Sequence, residues 1–278
     1  MKEILKLANV SYKYEDKYPA LIDVSATIYE GEKIAVLGNN GAGKSTFFLC
    51  CNGVLHPQGG KLFLFGEEIT TSKKDLTKLR ETVGLVFQDP DTQIIAGTVE
   101  SEVSFGPMNL KLDYEEIERR ITESLSIMNL EGYQERAPQY LSGGEKKRVS
   151  IADILAMEPE MILFDEPTAS LDPENVNLLE MTLEDLNNKG ITLVIATHDV
   201  DFAYQFADRV IVFSRGKIIA DASMEEVLAS ENILSQAGLT KPLIYSAAEV
   251  LEKHFPQLNE QKTPKTIEEL SEFVSTIE

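Results

Sequence analysis

Tryptophan is absent from this 278-residue chain, cysteine occurs twice and histidine three times. The cysteines, Cys50 and Cys51, are adjacent, and neighbours in a chain rarely bridge each other. That excludes a disulfide framework and fits a reducing, cytosolic setting. His56, His198 and His254 are scattered, which argues against a Cys/His metal centre. Basic residues are also scarce: 26 Lys and Arg against 46 Asp and Glu leave a formal charge of −20. Non-specific affinity for nucleic acid comes mostly from Lys and Arg neutralising phosphates, so no nucleic-acid partner is expected. An anionic-lipid-binding face is disfavoured for the same reason. No run approaches the roughly 20 apolar residues needed to cross a bilayer. The opening "MKEILKLANVSYKY" alternates polar and apolar residues and has no signal-peptide core. The chain is expected to be soluble.

Five short apolar runs bounded by turn residues are present: Lys33–Gly38, Val83–Gln88, Met161–Pro167, Thr192–Asp199 and Arg209–Gly216. Separated by longer helical patterns, they predict buried parallel strands of an α/β sheet. "ILKLANVSYKY", "IDVSATIYEG" and "KLFLFGEEI" alternate with period two and predict a smaller antiparallel sheet. Over about 89–159 the strand signal vanishes. Ile117, Ile121, Leu125 and Met128 fall at helical spacing there, which predicts an inserted α-helical subdomain. After about Ser230 comes an amphipathic stretch, then a polar breaker, then a last helix. That helix has Ile267, Leu270, Phe273, Val274 and Ile277 on one face and a Thr266/Glu269 capping box. Its apolar face is expected either to pack on its own domain or to form a dimer contact.

"GNNGAGKST" fits G-x-x-x-x-G-K-[ST], follows the run "KIAVL" and precedes a helical pattern, the context the phosphate-binding loop requires. Gly38, Gly41 and Gly43 let successive N–H groups converge on phosphate oxygens, and the helix N-terminus adds positive potential. Lys44 brings a full charge to the β- and γ-phosphates, and Ser45 offers a hydroxyl to magnesium. Ligands of open parallel sheets bind beyond the strands' carboxyl ends. The other strand ends supply Gln88, Asp165–Glu166 and His198. Asp165 is the candidate holder of a magnesium-bound water, Gln88 a bridge between metal and water, Glu166 the group that orients or deprotonates attacking water, and His198 a γ-phosphate donor. "LSGGE" opens a second helix with two glycines and so presents a second anion-seeking N-terminus.

In this order, "GNNGAGKST", Gln88, "LSGGE", "ILFDEP", "SLD" and His198 resemble the nucleotide-binding subunit of an ABC transporter over about residues 3–235. The resemblance implies the ABC form of the P-loop NTPase fold and ATP hydrolysis with Mg2+. ATP would be held by Gly38, Asn39, Asn40, Gly41, Ala42, Gly43, Lys44, Ser45 and Thr46, with adenine stacked on Tyr14 or its neighbour Tyr12. Ser142, Gly143, Gly144 and Glu145 would close over the ATP of a partner subunit, and Ser170, Leu171 and Asp172 would let the two sites sense each other. Asp153 stands where relatives usually have a small residue.

The form "VFQDPDTQI" is similar to that of ATPases of the energy-coupling-factor type, and the whole most resembles the cobalt-transport, CbiO-like group. That implies integral membrane transport subunits as partners and a peripheral place on the cytoplasmic face of the cell membrane. It further implies a homodimer or a heterodimer with a paralogous ATPase, with cobalt rather than nickel or a vitamin as the solute. On this reading residues 1–235 form the ATPase domain and 236–278 a C-terminal helical extension that would serve dimerisation. Between Asp89 and Leu110 stand Asp89, Asp91, Glu100 and Glu102 without a Lys or Arg, which suggests either an acidic groove for a basic partner helix or a solvated face.

Overall fold

The computed structural model describes residues 2–169 and 171–275. Among the described residues ten strands run β1 Glu3–Tyr14, β2 Tyr18–Tyr29, β3 Lys33–Leu37, β4 Gly59–Leu64, β5 Glu67–Ile69, β6 Val83–Val86, β7 Met161–Asp165, β8 Thr192–Thr197, β9 Arg209–Ser214 and β10 Lys217–Ser223. The helices are α1 Lys44–Cys51, α2 Lys73–Thr82, α3 Pro90–Gln93, α4 Val99–Asn109, α5 Tyr114–Ile127, α6 Gly143–Leu155, α7 Pro173–Asn188, α8 Val200–Phe206, α9 Met224–Ala229, α10 Glu231–Ala237, α11 Leu243–His254 and α12 Ile267–Ser275.

The strands form two sheets, in the orders β2-β1-β4-β5 and β10-β9-β3-β8-β7-β6. The first is antiparallel throughout. In the second, all five expected strands pair in parallel. Only β10, which the apolar runs do not reveal, joins its edge antiparallel to β9. Both faces of the parallel sheet are covered, which explains its continuous apolar runs. Met161 and Leu163 of β7 face one core with Val194 and Ala196 of β8, while Ile162, Phe164, Leu193 and Ile195 face another. The first core encloses α1, whose Phe47 and Phe48 are fully buried, each worth roughly 1.5–3 kcal/mol.

Helices α3 to α6 occupy the stretch where the strand signal is lost. Ile121, Leu125 and Met128 are buried at the predicted spacing, with Ile117 packed beside them. Cys50 and Cys51 are free and buried; burial pushes the Cys50 thiol up to about 12, so it is inert.

The C-terminal helices fold back on the sheet domain. Tyr204 Oη donates to the Pro264 carbonyl at 3.1 Å, and Leu243 N–H donates to Asp201 at 2.7 Å. Thr266 Oγ1 accepts from Glu269 N–H at 3.2 Å, but the Glu269 carboxylate accepts from Lys265 N–H at 2.6 Å, one residue before the position a capping box requires. Leu270 and Phe273 pack with Ala248 and Leu258, whereas Ile267 and Val274 are exposed. Ile277 lies outside the described residues.

Candidate functional site

The site lies along the carboxyl edge of the parallel sheet. Between β3 and α1 the chain turns through Gly38, Gly41 and Gly43 at φ of 146°, 77° and 113°, values that side chains rarely adopt. A Cβ at Gly38 would stand 2.3 Å from the Phe213 carbonyl oxygen, and one at Gly43 2.6 Å from that of Ala20. One at Gly41 would meet nothing within 4 Å. Conformation therefore requires all three glycines, and close packing requires two of them again. Asn39 and Asn40 are exposed at the rim, whereas Ala42 is buried beneath. Lys44 is buried. Its Nζ donates to the Gly38 carbonyl at 2.7 Å and lies 3.6 Å from Glu166 Oε1.

At the end of β7 the backbone bends sharply, with Glu166 left-handed at φ 45° and its N–H donating to the Ala196 carbonyl at 2.8 Å. The bend sends the two successive carboxylates in different directions. Glu166 Oε2 meets His198 Nδ1 at 2.9 Å, so Lys44, Glu166 and His198 form one chain of contacts. Asp165 turns toward the Ser45 hydroxyl. Its Oδ1 is one of two buried side-chain polar atoms without a hydrogen-bond partner among the described residues. Burial raises its pKa, opposed by Ser45 and by the charges of Lys44 and Lys147. A buried carboxylate oxygen without a donor is costly unless a cation receives it. Ser45, Gln88 and Asp165 line one cleft, a set of hard oxygen donors of the kind magnesium takes. These residues fit the metal.

The two candidate tyrosines part company. Tyr12 packs against the core, whereas Tyr14 is exposed and its hydroxyl lies 3.2 Å from Thr46 Oγ1. Tyr14 is thus the ring placed beside the phosphate loop.

The "LSGGE" turn is built by different means. Ser142 caps α6 in a capping box: its Oγ accepts from Glu145 N–H at 3.3 Å, and Glu145 accepts from Ser142 N–H at 2.7 Å. The Ser142 backbone and the Tyr133 hydroxyl hold the Glu145 carboxyl below its ordinary value. Ser142 and Gly143 are exposed, and a Cβ at Gly143 would meet nothing within 4 Å. Gly144 lies against Asn175 of α7. Among the described residues no hydrogen bond joins Ser142–Glu145 to Gly38–Thr46. Asp172 caps α7 by accepting from Asn175 N–H at 2.8 Å, and Leu171 packs into the core; Ser170 lies outside the described residues.

One expectation needs correction. Glu102 does not belong to an exposed acidic groove: it is 3% exposed and accepts from the N–H groups of Ile95 and Ala96 at 2.9 and 2.6 Å. Asp91 pairs with Lys146 at 2.6 Å. Asp89, Asp91 and Glu100 are exposed, and the surface there also carries exposed Ile95, Phe105 and Met108. Asp153 is held by Gln93, whose Nε2 donates to it at 3.2 Å.

Residue-level reading also missed Lys147. It is 3% exposed and donates to the carbonyls of Phe87 and Gln88 at 2.7 and 3.0 Å. The signal was available in its spacing: Lys147 stands four residues before Ile151 and eight before Leu155, on the buried stripe of α6.

A phosphate loop at a strand–helix turn, with acids and a histidine on adjoining strand ends, defines a P-loop nucleoside triphosphatase. The family model for the ABC transporter matches residues 21–169. The energy-coupling factor transporter ATP-binding protein EcfA of Methanothermobacter thermautotrophicus is 46% identical over 239 residues, 86% of this chain and 77% of its own length. The structure of cbiO1 from Clostridium perfringens, part of the ABC transporter complex cbiONQ, superposes with a TM-score of 0.76 at 37% identity, covering 93% of this chain and 98% of that one. The dimeric post-hydrolysis state of the ATP-binding cassette MJ0796, bound to ADP and Pi, gives 0.71 at 32% identity, covering 80% and 99%. The chain belongs to the ABC transporter family, among the energy-coupling-factor ATP-binding proteins, and is an ATPase.

Proposed function

We propose that the chain hydrolyses ATP to drive an energy-coupling-factor importer of cobalt ions, with nickel or a vitamin as the alternative solute. The observation that carries the motor role is the Glu166 carboxylate held between Lys44, at 3.6 Å, and His198, at 2.9 Å. Glu166 takes the proton of the attacking water. Lys44 and His198 hold the γ-phosphate, and the phosphate-loop N–H groups hold the rest of the triphosphate. Ser45, Asp165 and Gln88 would hold magnesium, which when bound neutralises charge on the phosphates. Tyr14 stacks on adenine.

The exposed start of α6 supports the next step in the reading. Ser142, Gly143, Gly144 and Glu145 cap the ATP of a second subunit, identical or paralogous, and the Ser170–Asp172 segment reports between the two sites. The dimeric MJ0796 cassette, and cbiO1 as part of the complex cbiONQ, support that arrangement and a docking of membrane subunits, here at the exposed Ile95, Phe105 and Met108. Such docking makes the chain peripheral on the cytoplasmic face of the cell membrane. We assign residues 1–235 to the ATPase domain, about 89–159 to its helical subdomain, and 236–278 to an extension whose exposed Ile267 and Val274 suit a dimer contact.

Glu166→Gln tests the motor role. It is expected to bind ATP, to lose about a hundredfold or more in turnover, and to accumulate as an ATP-bound dimer in light scattering. Near-normal phosphate release would remove Glu166 from its role. Co-purification with membrane subunits, followed by metal analysis, tests the solute.

A further inference from the structure

The main chain leading into Gln88 is held by side chains rather than by the sheet. β6 ends at Val86, and Phe87 follows without strand pairing. The Phe87 carbonyl accepts from Lys147 Nζ at 2.7 Å, and the next carbonyl, of Gln88 itself, accepts from the same amine at 3.0 Å. The Phe87 N–H donates to Gln93 Oε1 at 3.2 Å. Gln93 is in turn anchored to α6, where its Nε2 donates to the Ser150 carbonyl at 2.7 Å and to Asp153 at 3.2 Å. Both backbone groups of Phe87 are therefore tied, directly or through one amide, to the helix that begins at Ser142. Burying an ammonium this deeply is unfavourable, and desolvation lowers the Lys147 pKa to about 8 against the pull of Asp165 and Asp89. A methionine would fill the same volume without that cost, so the charge invites a role beyond packing.

We propose that Lys147, with Gln93, is a positioning residue for Gln88, holding its main chain at the distance from Asp165 and Ser45 that lets the amide reach the metal. This rests on the reading of Gln88 as a metal-site residue. One consequence follows from topology: α6 presents the Ser142 turn at its start and holds Gln88 from its second turn, so a shift of this helix against the sheet displaces both.

The test is a cycle of Lys147→Met, Gln88→Ala and the double variant, all in the full chain carrying Glu166→Gln so that ATP persists. The affinity of the ATP-loaded protein for Mn2+ is counted from the free-ion EPR signal and corrected for nucleotide alone. Turnover against Mg2+ in the parallel variants with native Glu166 gives a second readout. Outer groups that orient metal ligands typically change affinity by about tenfold or more when removed. Lys147→Met is expected to weaken Mn2+ binding to that extent, while Lys147→Gln, which keeps an N–H donor, recovers most of it. In the Gln88→Ala background, Lys147→Met should add nothing. An equal loss in both backgrounds, or no loss in either, overturns the positioning role. If Gln88→Ala alone leaves Mn2+ affinity unchanged, the metal-site reading of Gln88 fails instead, and the proposal with it. Should Lys147→Met not fold, Gln93→Met at a half-buried position is read by the same criteria.

Discussion

The chain opens two helices with glycine, and the two openings are built on opposite principles. At Gly38–Lys44 the glycines take positive φ, carbonyl oxygens of Phe213 and Ala20 press against them, and the lysine is buried. At Ser142–Gly144 no glycine has positive φ, the capping box is the ordinary one, and the turn faces outward. The first is a cradle completed within its own fold. The second is a stable helix end with its N–H groups on offer, which suits a ligand brought by another subunit. A helix N-terminus attracts an anion in either case; what differs is whether the same chain can supply the walls.

That contrast can be broken most sharply with one substitution on each side. Gly38→Ala forces a Cβ onto the Phe213 carbonyl at an unfavourable φ and should cost about 3 kcal/mol or more. It should be seen as a lowered denaturation midpoint together with lost ATP binding. Gly143→Ala has open space and helical geometry, and should leave monomer stability unchanged or raised by about 0.5–1 kcal/mol. It should nevertheless weaken ATP-dependent dimer formation in sedimentation. If both alanines destabilise the monomer alike, the two openings are not different in kind.

A smaller effect tests the interior behind the second opening. Burial pushes the Asp153 carboxyl up to about 7, with Glu102 raising it further and Gln93 opposing. The folded chain therefore binds a proton that the unfolded chain releases near pH 4. Stability attached to that proton is complete below the unfolded value and is lost as pH rises through about 7. Asp153→Asn mimics the protonated form. Its advantage over the native chain should grow from about pH 4 to pH 7 and level off above, reaching on the order of 4 kcal/mol in urea titrations. A difference that does not vary with pH would show the carboxyl to be ionised throughout.

The smallest effect belongs to the cap itself. Ser142→Ala removes the acceptor for Glu145 N–H and should lower stability by about 1 kcal/mol. Its loss of ATP-dependent dimerisation should exceed what that destabilisation alone produces.

Much of the candidate site's placement was legible because its residues follow backbone logic. The phosphate loop is a local motif, and each of Gln88, Asp165, Glu166 and His198 comes just after a run of buried strand residues. What was not legible depended on contacts between distant segments. Glu102 reads as one of four acids in a row without bases, yet it turns inward because the N–H groups of Ile95 and Ala96 need an acceptor. The edge strand β10 is half-exposed along most of its length and carries no apolar run. The burial of Lys147 could be read from its place on the apolar stripe of α6, but its partners could not, because only the packing of α6 against the end of β6 brings its amine to two carbonyls.

The order and spacing of apolar runs, glycines and acids were sufficient for the two sheets, the phosphate loop and the family, because periodicity and turn chemistry act within a few residues of the chain. The tertiary structure decided the partners of charged side chains. It separated Tyr14 from Tyr12, joined Glu166 to both Lys44 and His198, left Asp165 Oδ1 without a donor, and brought the Lys147 amine to the carbonyls of Phe87 and Gln88. A charge is stabilised by whatever stands within a few ångströms of it, and only folding determines what that is.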